Sequence, residues 1–153
     1  FEYKGKVKGG ADVYDDYAHH PTEIHATLSL ARELFPKKKI VAVFQPHLYS
    51  RTKDHKEHFK SAFVSADSVY VLPIYAAREP VDDSISSEMV VESIKEVRPG
   101  DVRFFDSFDD VAVSLAPLSD ETVIVLMGAG DITYLGEIMI NHKNRNEGVD
   151  NVK

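Results

Sequence analysis

The sequence predicts an α/β domain, in which a mostly parallel sheet of about six strands carries helices on both faces and an antiparallel hairpin at its N-terminal edge. Three observations support this. Apolar runs at 40–44, 69–72 and 123–127 lack the polar alternation of a half-exposed strand, so they read as strands covered on both sides. Between them apolar residues recur about every three to four positions, the period of an amphipathic helix. Near the start, Gly9-Gly10 divides two short stretches containing Tyr and Val, the pattern of a hairpin.

In chain order, residues 2–8 alternate Tyr, Gly and Val with charged residues, and 11–15 resume with Val13 and Tyr14 as strand formers. Pro21 suits the first helical position, and Ile24, Leu28, Ala31 and Leu34/Phe35 extend one apolar face to 35. Pro36 and Lys37-Lys38-Lys39 close that helix before the buried strand 40–44. Residues 45–52 read as a loop, because Pro46 cannot continue a central strand, and a helix bearing Phe59, Ala62, Phe63 and Ala66 follows. A strand at 68–74 leads to a loop at 75–83. The next helix, about 86–97, sets Met89, Val90, Ile94 and Val97 on one face and stops at Arg98-Pro99-Gly100. A short strand at 102–105, a helix with Phe108, Val111 and Leu115, and the strand 122–127 come next. Gly128-Ala129-Gly130-Asp131 opens a last helix with Ile132, Leu135 and Ile138/Met139. This makes one domain, 1–142, with a polar, aperiodic tail at 143–153 expected to be disordered.

Composition removes several classes. The 153 residues, 43% of them hydrophobic, suit one compact domain. No apolar run approaches the ~20 residues of a membrane span, and the N-terminus lacks the apolar core of a signal peptide, so the chain reads as soluble and no membrane partner is expected. Cysteine is absent, which excludes disulfides and thiolate chemistry. A net charge of −7 with dispersed cations disfavours a nucleic-acid surface.

In a parallel sheet, ligands gather at the carboxyl ends of the strands, so the loops 15–20, 45–51, 74–83 and 128–131 should converge. His19-His20 with Glu23 offers metal-ligand types but fits no zinc spacing, and adjacent histidines diverge, so no metal is expected. Asp15-Asp16 suggests a phospho-accepting domain, yet no acidic residue ends the third parallel strand and no lysine follows the last. Gly128-Ala129-Gly130 lacks a third glycine, since Thr133 stands there, and follows the last strand; it is either a tight turn or a site-lining segment. No G-x-x-x-x-G-K-[ST] run is present to cradle a triphosphate. Arg51 could clamp a carboxylate or phosphate through its planar fork, with His47 beside it, or stand solvated. Tyr49 reads equally as a packing aromatic, and His25, His55, His58 and His142 as exposed helix positions.

Taken together, Asp15-Asp16-Tyr17-Ala18-His19-His20-Pro21-Thr22-Glu23, Phe44-Gln45-Pro46-His47-Leu48-Tyr49-Ser50-Arg51-Thr52 and Gly128-Ala129-Gly130-Asp131-Ile132 resemble the C-terminal domain of the Mur ligases. The resemblance implies a Rossmann-like domain of a cytoplasmic, three-domain enzyme of peptidoglycan synthesis. The alanine-adding branch matches best: it activates the carboxylate of UDP-N-acetylmuramate with ATP and Mg2+ to an acyl phosphate, which L-alanine attacks. By that resemblance only the third domain is present, and the P-loop and most of the ATP and Mg2+ contacts belong to a central domain outside this chain, so the chain alone should be inactive. Asp16 would contact the ATP ribose; Tyr17, His19 and Arg51 would form the L-alanine pocket. His47, Gly128, Gly130 and Asp131 are further site-lining candidates, and no catalytic residue is assigned. One departure stands out: many alanine-adding members carry arginine where this chain has Leu48. Murein peptide recycling ligases share the first motif but differ in the second. The alternative from another class is a freestanding module that binds an amino acid or a nucleotide.

Overall fold

The structure, a computed structural model, describes residues 1–98 and 100–147, the side chains of 142–147 excepted. Its elements are β1 Glu2–Lys6, β2 Asp12–Asp16, α1 Pro21–Leu34, β3 Lys39–Phe44, α2 Tyr49–Ala62, β4 Ser68–Val71, α3 Ser87–Val97, β5 Asp101–Phe104, α4 Phe108–Leu115, β6 Thr122–Met127 and α5 Thr133–Glu147. They build the expected mixed sheet, in the order β1-β2-β6-β3-β4-β5. Only the β1/β2 pair is antiparallel; every other neighbouring pair is parallel. A register irregularity between Tyr3 and Gly5 kinks β1 at the edge.

The strands alternate between two apolar layers because successive side chains point to opposite faces. Ile40, Ala42 and Phe44 with Val123, Val125 and Met127 face α1, α2 and α3, where Ile24, Leu28, Phe59, Phe63, Val90 and Ile94 cover them. Val41, Val43, Ile124 and Leu126 face α4 and α5 and meet Val111, Leu115, Leu135 and Met139. The chain runs outward through β3, β4 and β5, then returns to insert β6 between β2 and β3. That reversal sets the carboxyl ends of β2, β6, β3 and β4 side by side, the topological switch at which α/β sheets bind ligands.

Pro21 opens α1 as expected, with His20 as cap and Glu23 closing a capping box. Elsewhere the structure departs from the expectations. α2 starts at Tyr49, so Tyr49 to Thr52 form its first turn and not a loop. The helix begins abruptly because Leu48 has φ 68, a left-handed value that stops any helix from running back through it, while its carbonyl accepts from the Thr52 N–H and hydroxyl. α3 is rotated relative to the expected face: Val90, Val91 and Ile94 are buried, but Met89 and Val97 are 43% and 54% exposed. Ser87 accounts for this, since its buried hydroxyl donates to the Leu72 carbonyl and takes an inward position that apolar spacing does not register. Pro99, expected as the stop of α3, lies outside the described residues. The tail expected from 143 overlaps α5, which runs to Glu147; 148–153 lie outside the described residues.

The hairpin turn docks on the loop before β6: the Gly9 N–H donates to Ala116 and the Ala11 N–H to Leu118. A Cβ at Gly9 would lie 2.4 Å from the Leu118 carbonyl oxygen and from Pro117 backbone atoms, which cannot swing aside as a side chain would. Gly9→Ala should therefore cost about 1–3 kcal/mol, the range for overfilling a packed site. The measurement is a lowered denaturant midpoint at unchanged slope; a midpoint equal to that of the parent chain would mean that the turn stands clear of the loop.

Candidate functional site

The carboxyl ends of β2, β6 and β3 finish level, with Asp16 opposite Met127 and Met127 opposite Phe44. The loops leaving them start at one height and are tied together by Gln45, which is 5% exposed. Its Nε2 donates to Asp131 Oδ1 at 2.7 Å and its Oε1 accepts from the Ile132 N–H at 3.1 Å, while its own N–H donates to Met127. A buried amide with donor and acceptor both engaged rigidifies the loops that it joins. Gly130 closes against it: a Cβ there would sit 2.6 Å from the Tyr75 ring and 2.8 Å from Gln45 Oε1. The space left by the missing side chain is filled by the protein's own groups.

On this platform stands a row of aromatic and basic side chains. Tyr17, 72% exposed, meets the edge of the His19 ring at 5.6 Å. His19 lies 5.9 Å from His47, and His47 stacks on Tyr75 at 5.7 Å. Arg51 Nη1 is 3.3 Å from His47 Nδ1. Glu23 secures the start of the row by accepting from the His19 and His20 N–H groups, both at 3.1 Å. Those two backbone hydrogen bonds, His20 first, hold the Glu23 carboxyl below the ordinary glutamate range. His19 Nδ1 is 3.1 Å from the Tyr17 carbonyl, a contact that a proton on Nδ1 satisfies.

Burial pushes the His47 imidazole below its ordinary value, and the nearby positive charge of Arg51 and then His19 adds to this. A neutral His47 leaves Nδ1 as an acceptor for the Arg51 N–H, so the imidazole aims the guanidinium without neutralising it. Among the described residues no carboxylate pairs with Arg51. The arrangement offers a planar, charged donor beside a neutral histidine, an exposed Tyr17 and a half-buried Tyr75, which suits a small molecule carrying a carboxylate.

The structure thus brings Tyr17, His19, His47 and Arg51 into one row. Asp16 sits at the end of β2, with Oδ1 accepting from the Ala18 N–H at 2.9 Å. Gly128, Gly130 and Asp131 lie beneath, in the Gln45 network, and Asp131 also borders a cleft of about 420 Å³ with Tyr75, Ala77, Asp106 and Phe108. The described residues contain no group of three histidines or carboxylates placed to hold a metal ion. His25 and His58 are exposed, as expected, but His55 is half-buried against His20 at 4.6 Å, because α1 packs on α2 there. The side chain of His142 lies outside the described residues. Gln45, Tyr75 and Glu79, whose carboxylate accepts from the Ser50 N–H on the turn that bears Arg51, border the site and are not revealed by periodicity. Gln45 follows a fully apolar strand directly, and a polar residue at that point was the available signal.

Known proteins of similar sequence and fold identify the family. The family model described as Mur ligase, glutamate ligase domain matches residues 1–130. A UDP-N-acetylmuramate–L-alanine ligase of Caldanaerobacter subterraneus subsp. tengcongensis is 43% identical over 146 residues, 95% of this chain and 31% of the relative. The crystal structure of the UDP-N-acetylmuramate-alanine ligase of Thermotoga maritima superposes with a TM-score of 0.71 at 30% identity, covering 93% of this chain and 29% of that one. A murein peptide ligase from Psychrobacter arcticus shares the fold, with a TM-score of 0.69 at 21% identity over 92% of this chain and 28% of its own. The chain spans about a third of the length of the curated relatives it matches. Because that family model covers most of the sequence, this chain belongs to the Mur ligase family, in its glutamate ligase domain.

Proposed function

We propose that this chain is the C-terminal domain of an ATP-dependent ligase that joins L-alanine to UDP-N-acetylmuramate in peptidoglycan synthesis, and that it closes over a site held mainly by two other domains. The observation that carries the proposal is the row from Tyr17 to Arg51, which ends in a guanidinium that His47 orients and no described carboxylate neutralises. Arg51 takes the carboxylate of L-alanine, and Tyr17 and His19 wall its pocket. The identity with alanine-adding relatives supports that choice of amino acid.

ATP supplies the activation of the muramate carboxylate in such a reaction. The residues here suit only a peripheral share of it. Asp16 stands at a strand end, with Oδ1 engaged by the Ala18 N–H and Oδ2 by the Phe1 amino group at 3.0 Å, so a ribose hydroxyl would compete with that ion pair; the glycines of the last loop are packed against Gln45 and Tyr75, and the described residues offer no set of metal ligands. Phosphates and Mg2+ therefore belong to the other domains. What this chain contributes is orientation of the amine donor and exclusion of water from a hydrolysable acyl group. A cytoplasmic setting fits the use of ATP and a cysteine-free chain; no helix among the described residues is long and apolar enough to cross a membrane.

Three outcomes test this reading. The isolated chain should release no phosphate from ATP in the presence of L-alanine and the sugar substrate, and alanine-dependent release would overturn the division of labour. In the intact enzyme, Arg51→Lys should lower kcat/KM for L-alanine roughly ten- to a hundredfold, since a charge-assisted hydrogen bond is worth about 1.5–3 kcal/mol. Binding of the UDP-sugar should scarcely change, and a loss under about twofold would return Arg51 to the solvent. The third outcome concerns pH. The folded His47 value lies below the unfolded one, so the unfolded chain protonates first; this contribution to stability is full above about 6.5 and declines as pH falls. Below the folded value both ring nitrogens carry protons and repel Arg51. The KM for alanine should therefore be flat between about pH 7 and 8 and rise toward about pH 5; a flat profile throughout would show that the imidazole does not orient the guanidinium.

A further inference from the structure

The helix turn that bears Arg51 lacks a local cap. Its N-cap residue is Leu48, with no side-chain hydrogen bond to the first turn, and that turn contains no acidic residue. Helices of this length ordinarily satisfy their first N–H groups with a neighbouring Ser, Thr, Asp or Asn, and a positive end without an anion disfavours a cation such as Arg51. Here the partner comes from another loop. Glu79 Oε2 accepts from the Ser50 N–H at 3.1 Å, and Glu79 Oε1 accepts from the Ser50 hydroxyl.

The loop after β4 is shaped to deliver that carboxylate. The Glu79 N–H donates to the Ala76 carbonyl at 2.9 Å, closing a turn in which Ala77 has φ 52. A left-handed value at a non-glycine residue is unfavourable by itself and persists only where surrounding contacts impose it. The two such residues described, Leu48 and Ala77, stand in the two loops that Glu79 bridges. Backbone pairing joins the same loops: the Leu48 N–H donates to Tyr75 and the Tyr75 N–H to Pro46, both at 2.8 Å. Tyr75 in turn stacks on His47. The hydrogen bonds from Ser50, side chain first, hold the Glu79 carboxyl below the ordinary glutamate range, so it is ionised where cells work. Glu79 forms no ion pair with Arg51, so it charges the helix end without occupying the guanidinium.

We infer that Glu79 is a positioning residue for the amino-acid pocket: through Ser50 it caps α2 from the neighbouring loop and fixes the first turn so that the Arg51 guanidinium faces the substrate carboxylate. This rests on the reading of Arg51 given above. Leu48 increases the dependence, because the turn has no local polar cap to replace the remote one.

The test uses the intact protein that carries this chain. Glu79→Ala should raise the KM for L-alanine roughly ten- to a hundredfold, the scale of a displaced positioning group, with kcat and the KM for ATP within about twofold. Glu79→Gln, which keeps an acceptor for the Ser50 N–H, should recover most of the loss. Ser50→Ala should raise the alanine KM severalfold, and the double variant should be no worse than Glu79→Ala alone, the signature of one shared contact. If Arg51→Lys raises the alanine KM while Glu79→Ala and Ser50→Ala leave it unchanged, the positioning role is refuted and the function stands. If Arg51→Lys is silent too, the reading of Arg51 falls with it. Should Glu79→Ala fail to fold, Ser50→Ala decides: an unchanged alanine KM overturns the inference.

Discussion

Much of this domain depends on β6 lying between β2 and β3 in parallel register. Each central strand end meets its neighbour at the same height, Asp16 with Met127 and Met127 with Phe44. Slipping one strand by a residue would exchange its side chains between the two helix layers, upset the packing of both and shift every loop it carries. The two apolar layers prevent this, since Ile124 and Leu126 face one helix layer while Val123, Val125 and Met127 face the other. Loop geometry at the site is thus a consequence of core packing. Gln45 converts the level ends into a fixed platform with one amide, and the row from Tyr17 to Arg51 stands on it.

The opposite rim is held in a different way. Asp67 Oδ2 accepts from the Ile40 N–H at 2.7 Å and from Arg32 Nη2 at 2.6 Å, and Arg32 also donates to the Lys38 and Ser65 carbonyls. One charged pair therefore ties the end of α1 to the starts of β3 and β4. The Ile40 N–H and the Lys38 and Ser65 carbonyls, which the sheet leaves over at this rim, are satisfied by that pair.

Most of the architecture was legible in the residues because it is local. The apolar run before Gly128, the proline that opens α1 and the apolar layers of the central strands each follow from spacing within a short window. The candidate cluster could be located as well, since the carboxyl-end rule collects the same loops that hold its unusual polar residues. Two of the illegible parts involve bonds between distant positions. Glu79 reaches Ser50 and Gln45 reaches Asp131, and neither pairing has a trace in periodicity. The start of α2 was misread because Pro46 signals the end of a strand but is silent on where the next helix begins, a point set by the left-handed Leu48. The face of α3 was misread because Ser87, a polar residue, holds a buried place.

The kink in β1 between Tyr3 and Gly5 has a bearing on how the domain behaves among its own copies. An open sheet presents unpaired N–H and C=O groups along its outer strands, and a straight, apolar margin invites another chain to add itself there. β1 is short and bent, and Lys4 and Lys6 flank the kink at Gly5; at the far margin β5 is short as well and carries the Arg103–Asp101 ion pair. Both margins are therefore poor templates for strand addition, and crowding of such domains in solution should not promote fibrous self-assembly through the sheet.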